Sequence, residues 1–419
     1  MSRSPVWHPF TQHGLEPDML PIARSEGAWL EATDGRRVFD GISSWWVITH
    51  GHRHPKIVRA IREQADKLDQ VIFAGFTHEP AEAVARGLVE IAPSGLTHVF
   101  FSDSGSTSVE VALKMALGYW KNTGEPRTRI LALEHAYHGD TIGTMSAGAR
   151  GVFNAAYEPL LFDVGRIPFP EKGAEQKTFD ALEQACRVGD IAGFICEPLI
   201  LGAGGMLIYD AATLAEMHRI CARYDVLFIA DEVMTAFGRT GTLFASEQAN
   251  ISPDIVCVAK GITGGSIPLA ATLCTDAIFD AHLSKDRSRT FFHSSSYTAN
   301  PIACAAAAAN LEIWRSEPVI ARIGALAKTQ AACLSRIVNN PRFENARQIG
   351  TMTAFEFSGA GAGYLAEISL LLRQKLLDRN VLLRPLGATV YVMPPYCATE
   401  DDLNMVYAAI SEAADEVRR

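Results

Sequence analysis

The sequence predicts an α/β chain: a large domain built on a mostly parallel sheet flanked by helices, joined to a smaller α+β domain. Three observations carry this. From about residue 95 to 310, short apolar runs alternate with helix-like segments, the pattern of parallel strands linked by crossover helices. After about residue 318 the pattern changes to a long helix, the strand-like Thr353-Ala354-Phe355-Glu356-Phe357, a second helix near 364–379 and the run Val390-Tyr391-Val392-Met393. The chain has 419 residues, too many for one core of ordinary size, so at least two domains are expected.

The candidate strands of the large domain are 98–102, 129–133, 191–196, 226–230, 255–259 and 268–274. Each is short, rich in β-branched residues and bounded by polar residues or glycine, as strands covered on both faces are. Before residue 60 lie short, turn-punctuated segments, among them Ala28-Trp29-Leu30-Glu31 followed by a turn at Asp34-Gly35. The segment 1–60 is assigned to the small domain and the site, 61–317 to the large domain, and 318–419 to the C-terminal α+β domain. Pro55 opens a helix over Lys56 to Leu68. Asn300-Pro301 opens another, whose alanine run 305–309 forms a close-packing face. Gly359-Ala360-Gly361-Ala362-Gly363 reads as a surface loop or a tight turn into the next helix. No internal repeat is evident.

Composition narrows the function. A net charge of −9 leaves no basic stripe for a phosphate backbone, which argues against nucleic-acid binding. The eight cysteines stand singly, several within apolar runs (Cys196, Cys257, Cys304), as packed thiols of a reduced, cytoplasmic protein do. No window approaches the roughly 18 apolar residues of a membrane span, and the N-terminus lacks a signal-peptide core. Neither export nor membrane insertion is expected.

Two of the apolar runs end on ionisable groups. Val226-Leu227-Phe228-Ile229-Ala230 leads to Asp231, and Ile255-Val256-Cys257-Val258-Ala259 leads to Lys260. Ligands of open α/β sheets bind at the carboxyl ends of strands. An amine and a carboxylate converging there suit pyridoxal 5'-phosphate, the lysine forming an imine with the aldehyde and the aspartate keeping the ring nitrogen protonated. A salt bridge capping two strands is the alternative. Phe101-Ser102-Asp103-Ser104-Gly105-Ser106-Thr107 joins a strand to a helix and offers N–H groups and the positive dipole end to a phosphate, or simply caps the helix. In His135-Ala136-Tyr137-His138-Gly139-Asp140, an aromatic at a strand end can stack on a flat ring. Phe292-His293-Ser294-Ser295-Ser296-Tyr297 again offers hydroxyls to an anion. Arg384-Pro385 sets a guanidinium beside a rigid turn, fit for a carboxylate. Of the adjacent Trp45 and Trp46, strand alternation sends one to core and the other to a pocket or interface. His50-Gly51-His52-Arg53-His54-Pro55 invites a metal reading, but no carboxylate or cysteine cluster accompanies it.

Together these segments resemble the class III, fold-type I pyridoxal-phosphate aminotransferases over nearly the whole chain. The specific signature is Ile229-Ala230-Asp231-Glu232-Val233, then Phe237-Gly238-Arg239-Thr240-Gly241, then Ala259-Lys260-Gly261. Within that family, Trp7-His8-Pro9-Phe10-Thr11, Ser43-Ser44-Trp45-Trp46, Leu383-Arg384-Pro385 and Val392-Met393-Pro394-Pro395-Tyr396 are similar to the branch that aminates 8-amino-7-oxononanoate in biotin biosynthesis. The resemblance implies a homodimer. Lys260 would carry the cofactor and move the proton, Asp231 would pair with the pyridinium, and Tyr137 would stack on the ring. Gly105 and Ser106 would cradle the phosphate, with Ser296 reaching it from the other subunit. Trp45, Arg384 and Tyr391 would line the substrate site. S-adenosylmethionine is the implied amino donor. Phe10 stands where better-known members carry tyrosine, which keeps lysine open as donor, and an omega-amino acid or diamine aminotransferase is the alternative activity.

Overall fold

A computed structural model describes residues 4–16, 19–359 and 364–417. The loop expected at 359–363 therefore lies, beyond Gly359, outside the described residues. A seven-stranded sheet forms the large layer. Its spatial order is Leu96–Ser102, Ala270–Thr275, Ile255–Val258, Leu227–Asp231, Ile191–Cys196, Arg129–Leu133 and Gly165–Ile167. Ala270–Thr275 runs antiparallel to both its neighbours; the other pairings are parallel. The six expected strands are present. The edge strand Gly165–Ile167 is an addition, three residues with an arginine at their centre, too short and polar to show a period.

Strand register determines where the ionisable groups emerge. Ala230 stands level with Cys196 on one side and Val256 on the other, and Asp231 is level with Cys257. The three central strands therefore end side by side, and the residues that leave them are Glu197, Asp231 and Lys260. These strands are buried on both faces, with Phe194, Ile195, Phe228, Ile229, Ile255 and Val256 all at 0–1% exposure. Full burial of such a side chain contributes about 1.5–3 kcal/mol.

Helix Gly105–Thr123 packs along one face. It begins at a reciprocal cap in which Ser104 Oγ accepts from Thr107 N–H and Thr107 Oγ1 accepts from Ser104 N–H, and it ends on left-handed Gly124. On the other face, helices Glu79–Ile91 and Pro301–Ser316 join the core beneath the sheet.

The two ends of the chain share their own packing. Strands Ile22–Glu26, Trp29–Ala32 and Arg37–Asp40 form a meander whose last strand pairs in parallel with Val381–Leu382. A second sheet joins Phe343–Ile349, Met352–Phe357 and Thr389–Val392. One apolar cluster runs from Ala28, Phe39 and Ile57 through Ile323 and Phe355 to Val406 and Ile410. All eight cysteines are unpaired and only Cys397 is exposed. Among the described residues no helix is long and apolar enough to cross a membrane.

Two glycines separate backbone conformation from space. Gly35 and Gly265 have nearly the same positive φ, 86° and 87°. A Cβ at Gly35 meets nothing within 4 Å, whereas at Gly265 it would come within 2.5 Å of the Val47 carbonyl. Gly35→Ala should cost only the left-handed penalty, about 1 kcal/mol. Gly265→Ala should add an overpacking cost of about 1–3 kcal/mol. Denaturation midpoints of the pair check this; equal losses would refute the close approach.

Candidate active site

Lys260 is the residue on which three adjoining cavities meet. One of about 140 Å³ is lined by Ser104, Gly105, Ser106, Tyr137, His138, Gly139, Glu197, Asp231 and Val233. A second, of about 220 Å³, is walled by Phe10, Trp45, Trp46, Tyr137, Phe153, Tyr364 and Tyr391, with Asp140 and Arg384 as its charged members. The third, of about 300 Å³, opens past Val47, Asp103 and Gly265–Leu269. A further cavity, of about 670 Å³, lies elsewhere, between the N-terminal segment and helix Ile368–Asp378, and Lys260 does not line it.

In the first cavity Asp231 is held from two sides: His138 Nδ1 lies 2.6 Å from Oδ2, and Val233 N–H donates to Oδ1 at 3.1 Å. His138 is buried, and its Nε2 has no partner among the described residues. Glu197, also buried, accepts Tyr137 N–H on Oε1 at 3.0 Å and Gly202 N–H on Oε2 at 2.9 Å, and so fixes the backbone that carries the tyrosine. Sequence reasoning assigned no role to either His138 or Glu197. His138 sits inside a motif it singled out, and Glu197 comes directly after a strand it identified, but neither carries a signal without its neighbours in space. Gly105 and Ser106 form the first turn of their helix, where N–H groups have no intrahelical acceptor. A Cβ at Gly105 would press within 2.6 Å of Val233 Cγ1, and one at Gly139 would overlap Ser106, so both glycines keep this end open.

The second cavity owes its shape to an unusual turn. Ser43, Ser44, Trp45 and Trp46 all have positive φ, between 47° and 73°. A left-handed turn replaces the strand that alternation assumed, so both tryptophans line the cavity. Trp46, the more buried, donates Nε1–H to Tyr391 Oη at 3.1 Å, and its ring lies 4.6 Å from Lys260 Nζ. Trp45 meets Phe10 edge-on at 5.4 Å and lies under the Arg384 guanidinium at 5.0 Å. Arg384 donates to the Phe10 carbonyl, 2.5 Å away, which uses one of the five donors of its fork. The turn is held by Asp40, which accepts from Ser44 N–H and Oγ–H, and by fully buried Arg239, which donates to the carbonyls of Trp46, Ile48 and Pro394.

Ser296 is exposed and lines none of the three cavities; its carbonyl accepts from Gln70. Its neighbour Ser295 donates to Asp103 at 2.5 Å, so the segment lies against the loop that leads to Gly105. The three histidines of 50–54 go to separate partners, Asn310, Asp40 and Glu317. Among the described residues no group of three metal-binding side chains is assembled.

Electrostatics favour a reactive amine. Burial pushes the Lys260 ammonium down to about 8, opposed by Asp231 and Glu197 and assisted by Arg239. Burial raises Glu197 to about 7, and burial with the neighbouring Asp140 carboxylate holds the Tyr137 phenol far above its ordinary range. A lowered lysine is neutral, hence nucleophilic, above its midpoint. In the ligand-free protein, Lys260 should gain amine reactivity through about pH 8, well below the roughly 10.4 of ordinary lysines. Asp231→Asn removes a raising charge and should move the midpoint lower still. Competitive labelling read by mass spectrometry measures both, and a Lys260 that titrates with the surface lysines would refute the reading.

Comparison with known proteins agrees with this geometry. Residues 10–414 match the family described as aminotransferase class-III. A relative from Synechococcus elongatus, named adenosylmethionine-8-amino-7-oxononanoate aminotransferase, is 47% identical, covering 98% of this chain and 99% of its own. The crystal structure of an enzyme of the same name from Methanocaldococcus jannaschii superposes with a TM-score of 0.94 at 34% identity, covering 98% of this chain and 97% of the other. An amine transaminase from an uncultivated Pseudomonas species, in its PLP-bound form, superposes at 0.92 with 31% identity, covering 99% of each chain. The chain, with its fold-type I sheet and strand-end lysine, belongs to the class-III aminotransferase family.

Proposed function

We propose that this protein transfers an amino group to 8-amino-7-oxononanoate, giving 7,8-diaminononanoate for biotin biosynthesis, with pyridoxal 5'-phosphate as cofactor and S-adenosylmethionine as donor. The observation that carries the proposal is the second cavity: an amine-bearing floor at Lys260, aromatic walls, and opposite charges at Arg384 and Asp140. The acceptor is itself bipolar, a carboxylate at one end of an apolar chain and an amine beside the ketone at the other. The names of the relatives on which this chain aligns end to end favour the same substrate.

The residues fit the cofactor. Helix N–H groups at Gly105 and Ser106, on the side kept open by Gly105 and Gly139, would hold the phosphate dianion. Asp231, oriented by His138, would hold the ring nitrogen's proton. Tyr137, its backbone pinned by Glu197, would lie against the ring. When bound, pyridoxal 5'-phosphate supplies an aldehyde that captures amines and a protonated ring that withdraws electrons. Lys260 Nζ would hold the cofactor and, as a free amine, would accept and return the proton that the transfer moves. The apolar walls exclude water from that transfer and face the cationic donor with ring faces. Arg384 would bind the acceptor's carboxylate. We place the enzyme in the cytoplasm as a homodimer, with Ser296 presented to the phosphate of the other subunit.

Superposition on an amine transaminase favours a second reading, amino transfer from an omega-amino acid or diamine. A half-reaction separates the two. Cofactor-loaded protein mixed with 7,8-diaminononanoate should lose its visible absorption band and release 8-amino-7-oxononanoate. A band that persists with this diamine and collapses with ornithine or 4-aminobutyrate would move the protein to the second reading. In the forward direction, parallel assays with S-adenosylmethionine and lysine identify the donor. Lys260→Ala should abolish both turnover and the band. Arg384→Ala removes a charged hydrogen-bond donor, about 1.5–3 kcal/mol. Its effect should fall on binding of the oxononanoate and spare that of S-adenosylmethionine; equal losses would displace the arginine from the carboxylate.

A further inference from the structure

His50 leads through Asn310 to the turn that begins at Lys260. Both side chains are buried, and His50 Nε2 lies 2.8 Å from Asn310 Oδ1. On its other side Asn310 Nδ2 lies 3.0 Å from the carbonyl oxygens of both Gly261 and Ile262. Carbonyl oxygens only accept, so both amide protons are committed to them, and Oδ1 must face the histidine. His50 Nε2 therefore carries a proton. Its Nδ1 is buried without a partner among the described residues. A second proton would be an unpaired buried charge, and burial takes this imidazole down to about 4, with His54 and Arg322 lowering it and Asn310 and Glu317 raising it. His50 is thus a fixed neutral donor.

The two carbonyls belong to the turn Lys260–Thr263, which starts at the lysine itself. Lys260 has φ 46°, a left-handed conformation that a side-chain-bearing residue keeps only where its surroundings impose it. Within the turn, Ile262 N–H donates to Ala259 and Gly264 N–H to Gly261. Thr49 N–H, from the residue before His50, reaches the Gly264 carbonyl at 3.4 Å. The Asn310 amide adds the only side-chain donor that bridges the Gly261 and Ile262 carbonyls among the described residues.

We propose that Asn310, oriented by His50, is a positioning residue for Lys260: its amide clamps the two carbonyls that come after the lysine and fixes the direction in which Nζ enters the cavity. The proposal rests on Lys260 being the amine that carries the cofactor. Asn310→Ala should keep the visible band but lower kcat by about 10- to 100-fold, the loss expected of a misplaced reacting group. The KM for the diamine should stay within about threefold, because ground-state contacts are untouched. The pH midpoint of the band should move by about half a unit or more as the lysine's surroundings change.

His50→Gln, which keeps an N–H near the position of Nε2, should behave nearly as the parent, and His50→Leu should resemble Asn310→Ala more weakly. Leu311→Ala, a cavity on the same helix facing Gly87, serves as control, with a lowered melting temperature and an unmoved kcat and midpoint. Should Asn310→Ala fail to fold, the two His50 variants decide. Variants of Asn310 and His50 that lose only thermal stability, as Leu311→Ala does, would overturn the proposal. A band that survives Lys260→Ala would instead overturn the reading on which it rests.

Discussion

The parallel register of the three central strands is the constraint on which the site depends. Side chains alternate faces along a strand, so a slip of one residue at Leu227–Asp231 would turn Asp231 away and expose its buried partners. The register is fixed by near-complete burial of Phe228 and Ile229 on opposite faces, against the two apolar clusters that sandwich the sheet. Helix Gly105–Thr123 is tied to strand Ile255–Val258 and its antiparallel neighbour through Ser108, whose carbonyl accepts from Cys257 and Thr272. Packing thus brings the open N-terminal end of the helix and the strand-end Asp231 and Lys260 to one edge without any contact between their own side chains having to do it.

A second constraint works in the opposite direction. Four consecutive left-handed residues at Ser43–Trp46 cost on the order of 1–2 kcal/mol each. They persist because buried partners hold the turn from both ends: Asp40 on its N-terminal side, and on its C-terminal side Arg239, with Ser43 Oγ bonded to the Met393 carbonyl. Arg239 comes from the loop after Asp231, and Met393 and Pro394 come from the far end of the chain. The turn is where the central sheet and both chain ends are tied together, and the aromatic wall is built there.

This division explains what could be read from the sequence. Strands buried in a parallel sheet appear as continuous apolar runs, so Asp231 and Lys260 announce their positions at strand ends. Tyr137 and Arg384 stand in segments whose chemistry is local, an aromatic beside glycine and a guanidinium beside proline. His138 and Glu197 are invisible by the same logic, because the role of each lies in a partner reached across neighbouring strands. The period of a strand does not apply to Trp45 and Trp46, because a left-handed turn has no such period. Asn310 sits just past an alanine run that reads as packing; only the fold brings its amide to the turn after Lys260.

The electrostatic arrangement arises from the same geometry. Two carboxylates, Asp231 and Glu197, line the first of the lysine's cavities, and by charge alone they would keep its ammonium protonated. Burial outweighs them, since the net movement of Lys260 is downward. Arg239 contributes to the same end, its own guanidinium lowered by burial and, among the described residues, bonded to carbonyls alone. One arginine therefore braces the strained turn that shapes the aromatic wall and adds positive potential at the amine. An amine held near neutrality is one that can both capture an aldehyde and return a proton.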